Sequence, residues 1–159
     1  MYTTQIPMQP GGLMSTWDHA SATDWTDVLS TFPLFAGIPK RRLRKLVRQA
    51  TFAEYRSGDS VVEKGVRADS LYVILGGSAK VRGKPTSRAL GIGDYFGELG
   101  LLDDAPRSAT VVAVEELHVM RLPRKSFLRL AKDDPAISFR MLGNLGSQFR
   151  RLETQAVPR

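Results

Sequence analysis

One segment of the sequence combines residues that could bind both a phosphate group and a sugar hydroxyl. It runs from Gly93 to Thr110, between two stretches with the character of β-strands. Gly97 permits unusual backbone angles, and a short helix that starts there would point free N–H groups outward. Glu98 is only an acceptor when ionised, which suits a sugar hydroxyl, whereas Arg107 can hold a phosphate through two parallel hydrogen bonds. Two further donors are the hydroxyl of Ser108 and the backbone N–H of Ala109.

The same residues also allow a purely structural interpretation, in which Arg107 forms an ion pair with an acidic neighbour. The candidate neighbours are Glu98, Asp103 and Asp104. A single Gly-Glu or Pro-Arg pair carries almost no information. The combination of donors and acceptors at this spacing is therefore what favours a binding site.

The elements that must position this segment alternate in an order that predicts an α+β fold. Residues 25–32 have apolar side chains at helical spacing after Asp24, a candidate N-cap, and a basic helix follows at residues 39–49. Short β-type runs then predict a closed β-barrel or jelly roll, the double-stranded β-helix. These runs are Thr51–Tyr55, Ser60–Glu63, Leu71–Leu75, Ser78–Arg82, Arg88–Ile92, Thr110–Val114 and Glu116–Leu122. Two more helices are predicted after Pro123, the second with Pro135 at its first position.

Length and composition exclude several classes of function. The 159 residues fit one domain, and the absence of cysteine excludes disulfides, thiolate metal sites and a cysteine nucleophile. No apolar run is long enough for a transmembrane helix and no signal peptide pattern is present, so we expect a soluble, cytoplasmic protein. Residues 1–22 carry several prolines and glycines without periodicity, which predicts a disordered tail and leaves residues 23–155 as the domain.

The net charge of +7 raises the alternative of nucleic-acid binding. Much of the basic charge is concentrated in the helix at residues 39–49, where Leu43, Leu46 and Val47 form one apolar stripe. No aromatic residue lies among these charges to stack on a base. We therefore favour a solvated basic face over a nucleic-acid or lipid site, and regard DNA binding as the weaker hypothesis.

The segment resembles the phosphate-binding cassette of cyclic nucleotide-binding domains, the family of catabolite activators and protein kinase A regulatory subunits. The family pattern contains Phe-Gly-Glu and, after a short spacer, Pro-Arg-x-Ala-Thr. Here these motifs read Phe96-Gly97-Glu98 and Pro106-Arg107-Ser108-Ala109-Thr110. The resemblance extends over residues 25–152, and it implies hinge and lid helices at the C-terminal end.

The resemblance implies a role for each residue of the cassette. Glu98 would accept a hydrogen bond from the ribose 2′-hydroxyl. Arg107 would bind the cyclic phosphate, helped by Ser108 and the N–H of Ala109. The remaining backbone groups of the cradle would come from Gly97 and Leu99. Serine at position 108 favours cAMP over cGMP, because the family associates threonine there with cGMP.

Residues outside the cassette would contact the base. Val81 and Leu90 are candidates for an apolar wall beside it. The contact from the lid helix would come from Phe149, Arg151 or Thr154. Binding would close this helix and signal to an unknown protein effector, which makes the chain a sensor. An interaction or scaffold module without sensing is the alternative.

No enzyme, metal site or further cofactor is predicted. The two histidines, His19 and His118, are far apart in the sequence, and no Walker motif or nucleophile elbow is present. His118 is expected to pack in or beside a strand. The sequence ends at Arg159, too early for the helix-turn-helix domain of bacterial activators, so we expect a stand-alone domain. Glycines at 143 and 146 lower the helix propensity of the lid helix, and a monomer is favoured.

Overall fold

Two helices and a 3-10 turn precede the sheets in the computed structural model, which describes residues 22–82 and 87–156. Helix α1 spans Ala22–Ser30, the turn Pro33–Phe35, and helix α2 Lys40–Gln49. Both helices were expected from apolar spacing, although α1 begins two residues before the predicted N-cap. All but the last residue of the predicted tail lies outside the described residues, so the tail stays a prediction.

Within the described residues, eight strands form two four-stranded antiparallel sheets. Their bounds are β1 Thr51–Tyr55, β2 Ser60–Val62, β3 Ser70–Gly76, β4 Ala79–Arg82, β5 Arg88–Leu90, β6 Tyr95–Phe96, β7 Thr110–Ala113 and β8 Leu117–Pro123. The strand order is β1-β8-β3-β6 in the first sheet and β2-β7-β4-β5 in the second. The seven strands predicted from the sequence are all present, and β6 is an additional one. The α+β jelly roll with flanking helices is thereby confirmed.

Strand β3 is buried on both faces and lies between two parts of the core. Its even-numbered residues Tyr72 and Ile74 pack between the two sheets, with apolar side chains such as Val111 of the second sheet. Its odd-numbered residues, including Val73, pack against the helices beside Phe127. Alternation of side chains across a strand produces this division, because successive residues point to opposite faces.

The C-terminal part is helical, as predicted. Helix α4 spans Arg124–Asp133, and helix α5 spans Pro135–Ala156. Ile137 and Met141 anchor the first turns of α5 in the helical side of the core. Beyond them the apolar side chains of α5 are largely exposed, with Phe149 exposed by 63%. Within the described part of the chain, no helix is both long and apolar enough to cross a membrane.

Candidate functional site

The cassette predicted from the sequence forms a tight turn followed by a short helix. Helix α3 spans Glu98–Asp103 and directly follows β6. Gly97 is its N-cap and has a left-handed backbone with φ of 89°. A Cβ atom there would overlap the Nη1 atom of Arg107 and lie 3.2 Å from the carbonyl oxygen of Ser70. Glycine is therefore required twice at this position, for the backbone angle and for the space that the guanidinium occupies.

Arg107 is buried and held in a fixed orientation by backbone carbonyls. Its Nη1 donates to the carbonyl oxygen of Gly97 and its Nη2 to that of Ser70, both at 2.9 Å. Its guanidinium also lies 5.5 Å from the centre of the Tyr72 ring and 3.7 Å from a carboxylate oxygen of Asp69. Burial lowers the pKa of Arg107. The ion pair is thus with Asp69 rather than with the acidic neighbours considered from the sequence.

Glu98 is a buried carboxylate in the first turn of α3, with only 5% of its surface exposed. Burial raises its pKa, because desolvation penalises the ionised form. Its own backbone N–H and the charges of Arg88 and Arg107 act in the opposite direction but do not cancel the effect. Such a group would gain from a hydroxyl donor that bonds to the carboxylate.

An open pocket of about 1000 Å³ lies in front of the cassette. Eight of the nine residues predicted as ligand-binding line it: Val81, Gly97, Glu98, Leu99, Arg107, Ser108, Ala109 and Arg151. Leu90 is the exception, since it lies opposite Ala79 in the β4–β5 register and is buried in the core between the sheets. Leu90 reaches only a smaller neighbouring pocket of about 300 Å³.

Of the three lid candidates on α5, the structure places Arg151 at the pocket. It is accompanied there by Gln148 and Leu152 of the same helix. The hydroxyl of Thr154 instead donates to the carbonyl oxygen of Arg150 at 2.9 Å. Phe149 is exposed to solvent on the helix surface. The described part of α5 therefore contributes one side wall of the pocket.

Comparison with known proteins identifies this architecture. The family model described as cyclic nucleotide-binding domain matches residues 52–134, which include the complete cassette. The chain belongs to this family. Its sequence is 32% identical over 133 residues to the cAMP-dependent protein kinase regulatory subunit of Aspergillus fumigatus. This match covers 82% of the chain and 30% of that protein. It is also 28% identical to the CRP-like cAMP-activated global transcriptional regulator of Mycobacterium tuberculosis, covering 79% of the chain and 58% of that protein.

Solved structures show the same fold. The co-crystal structure of the regulatory domain of Toxoplasma gondii PKA with cAMP matches with a TM-score of 0.69 and 25% identity, over 80% of this chain and 50% of that one. The catabolite activator protein of Thermus thermophilus matches with a TM-score of 0.65 and 26% identity, over 77% of this chain and 61% of that one. The chain spans less than a third of the length of the kinase regulatory subunits that it matches.

Behind the cassette of this cyclic nucleotide-binding domain lies a cross-strand stack that the sequence did not indicate. Tyr72 lies opposite Phe96 of β6 and opposite Arg121 of β8 in the register of β3. The Tyr72 and Phe96 rings stack with centres 5.0 Å apart, and the Arg121 guanidinium lies 5.4 Å from the Tyr72 ring. The Oδ1 atom of Asp69 lies 3.7 Å from Arg107, and its Oδ2 atom lies 3.7 Å from Arg121. Partners from three strands meet here, which no local motif could indicate.

Basic side chains at the rim of the pocket were also missed. Besides Arg107 and Arg151, the pocket is lined by Lys64, Arg82 and Arg88. Arg88 lies opposite Val81, a predicted apolar wall residue, in the pairing of β4 with β5. The periodicity of a three-residue strand does not fix the register, so the position of Arg88 at the pocket could not be predicted.

His118 packs in strand β8, as expected, but between two carboxylates. Its Nδ1 lies 3.1 Å from Glu54 and its Nε2 3.3 Å from Glu116. The three side chains could offer ligand atoms within 4.8 Å of one another. Because each ring nitrogen faces a different carboxylate, the three side chains form a polar cluster that joins β1 to the segment before β8.

Proposed function

We propose that this chain is a cyclic nucleotide sensor whose ligand is cAMP, and that it catalyses no reaction. One observation carries the proposal: a buried acceptor, Glu98, and a buried cation, Arg107, line the same pocket within one cassette. A buried carboxylate and a buried guanidinium are costly unless they gain partners. The relatives named for cAMP support the choice of ligand.

In this proposal Arg107 binds the cyclic phosphate and Glu98 binds the ribose 2′-hydroxyl. A guanidinium has more N–H donors than the carbonyls of Gly97 and Ser70 use, so donors are left for a phosphate. The two carbonyls hold the guanidinium in place before the ligand arrives, which lowers the cost of ordering it. Ser108 and the N–H of Ala109 would supply the other donors, and both residues line the pocket.

Helix α5 would act as the lid. Its N-terminal turns are buried through Ile137 and Met141, whereas the side chains beyond them are mostly exposed. A bond from Asn144 Nδ2 to the hydroxyl of Tyr95, at 2.8 Å, connects the helix to the strand before the cassette. Closure over the base would bury apolar side chains of the distal half, such as Leu152, and present a changed surface to a protein effector.

The experiment is a calorimetric titration with cAMP and cGMP, followed by hydrogen exchange with and without ligand. We expect cAMP to bind more tightly than cGMP, because Ser108 replaces the threonine that the family associates with cGMP. We also expect slower exchange in the distal half of α5, with the amides of α2 as an internal control. No heat and no thermal shift with millimolar ligand would refute binding. Binding without altered exchange in α5 would refute the lid and favour an interaction module.

A further inference from the structure

The charge around the pocket exceeds what a 3′,5′-cyclic mononucleotide can balance. Among its described lining residues are five cations and one acid, Glu98. The cations are Lys64, Arg82, Arg88, Arg107 and Arg151. A cyclic mononucleotide carries one phosphate, which Arg107 would bind under the proposed function. Four cations then surround the ligand without a phosphate of their own.

These four cations form no close ion pair within the described part of the chain. Close ion pairs among the described residues include Arg42 with Asp134 at 3.0 Å and Arg124 with Asp104, whereas exposed cations such as Arg41 and Arg48 form none. Lys64, Arg82, Arg88 and Arg151 form no such pair with any described residue. The charge of Arg88 acts on Glu98, but Glu98 is the single acid among the described lining residues, so the cations are in excess there. Cations in excess on one concave surface add their potentials and favour an anion.

Two of them occupy a distinct place in the pocket. Arg88, on strand β5, and Arg151, on helix α5, line both the main pocket and the smaller neighbouring pocket of about 300 Å³. Gln148 is also shared by the two pockets. The acidic residue of the smaller pocket, Asp94, already accepts a hydrogen bond from the N–H of Gly91 at 2.8 Å. The junction of the two pockets is thus rich in hydrogen-bond donors.

We infer that the site takes a nucleotide with a second phosphate, bound between Arg88 and Arg151, in addition to the phosphate held by Arg107. This inference rests on the proposed function, since it assumes that Arg107 binds the first phosphate. The main pocket is at the upper end of the size range of small-molecule sites, and the smaller pocket continues it. The register supports the placement, because Arg88 faces the pocket opposite Val81.

Two chemical sources could supply such a ligand, and the probes distinguish them. Cyclic di-AMP represents a cyclic dinucleotide, and adenosine 3′,5′-bisphosphate represents a mononucleotide with two separate phosphates. Titrations of the full chain with each probe and with cAMP give three dissociation constants. We expect at least one two-phosphate probe to bind about tenfold more tightly than cAMP, since a charge-assisted contact is gained. Its affinity should also fall more steeply with salt.

The double variant R88Q/R151Q tests the placement. We expect the ratio of the two dissociation constants, cAMP over the two-phosphate probe, to fall to about one. The matched control R41Q/R48Q removes the same number of charges from the exposed face of α2 and should leave the ratio unchanged. An equal fall in the control would overturn the inference, because general charge would then explain the preference.

The outcomes separate this inference from the proposed function. Binding of cAMP with no tighter binding of either probe overturns the inference and leaves the proposed function standing. Binding of a probe without binding of cAMP supports the second phosphate and refutes cAMP as the ligand. Absence of binding by all three nucleotides refutes both.

Discussion

Replacement of Gly97 by alanine should damage both the fold and the site, and the structure separates the two effects. Gly97 has a left-handed backbone, which a residue with a Cβ adopts only at a cost. A Cβ atom would also overlap the Nη1 of Arg107, whose bonds to Gly97 and Ser70 are 2.9 Å long. The guanidinium would have to move away from the position in which it lines the pocket.

The size of the effect follows from these two contributions. The left-handed conformation costs a non-glycine residue roughly 1–2 kcal/mol. Loss of a hydrogen bond from a charged donor to a buried carbonyl costs about 1.5–3 kcal/mol. We therefore expect Gly97→Ala to lower the free energy of unfolding by roughly 2.5–5 kcal/mol. The affinity for cAMP should fall at least about tenfold, because the proposed phosphate contact depends on the displaced side chain.

Gly58→Ala is the matched control. Gly58 has nearly the same backbone angle, with φ of 90°, but a Cβ atom added there would meet no heavy atom within 4 Å. It should lose only the conformational cost of roughly 1–2 kcal/mol and keep its affinity for cAMP. Urea denaturation measures the stabilities, and calorimetry measures the affinities of the folded variants. Equal losses in the two variants would refute the claim that Gly97 makes room for Arg107.

Three further predictions concern single features. Burial raises the pKa of Glu98, so the ionised carboxylate costs stability above that pKa. The Glu98→Gln variant should therefore be more stable than the wild type at neutral pH, and this difference should disappear as the pH falls and Glu98 of the wild type is protonated. The variant should bind cAMP about tenfold more weakly. Urea denaturation across pH, with calorimetry, checks both signs, and a destabilised variant at neutral pH would contradict them. Gly77→Ala should destabilise the protein by several kcal/mol, because the added Cβ would overlap the carbonyl oxygen of Glu116. The folded fraction of this variant should bind cAMP normally. Weakened binding would show that the turn between β3 and β4 supports the site. In a mobility-shift assay with duplex DNA, the wild type and the exposed-charge variant R41Q/R48Q should both give only weak shifts. A strong, salt-dependent shift of the wild type that R41Q/R48Q abolishes would establish the nucleic-acid alternative.

Most of the fold was predictable from local patterns. Alternating strands bounded by glycine turns predicted seven of the eight strands, and the apolar face of α2 identified its buried side. Strand β6 was missed because it is only two residues long, Tyr95–Phe96, too short to show a period. Its existence depends on pairing with Tyr72 and Val73 of β3.

The site was predictable where it is contiguous in sequence and not where it is assembled by register. The cassette from Gly97 to Ala109 was identified as a unit, since its residues are neighbours in the chain. The carbonyl that holds Arg107 from outside this unit belongs to Ser70, 37 residues away in the sequence. Leu90 was predicted as a wall residue and Arg88 was not predicted at the pocket, because the pairing of β4 with β5 could not be read from so short a strand.

The central claim is that Arg107 binds the phosphate of a cyclic nucleotide. Its most direct test is a calorimetric titration of wild type, Arg107→Ala and Arg41→Ala with cAMP. Arg107→Ala should weaken binding by roughly a hundredfold or more, since it removes two charge-assisted hydrogen bonds. Arg41→Ala removes an exposed charge from α2 and should bind as the wild type does. A folded Arg107→Ala variant that binds cAMP with the affinity of the wild type would contradict the account.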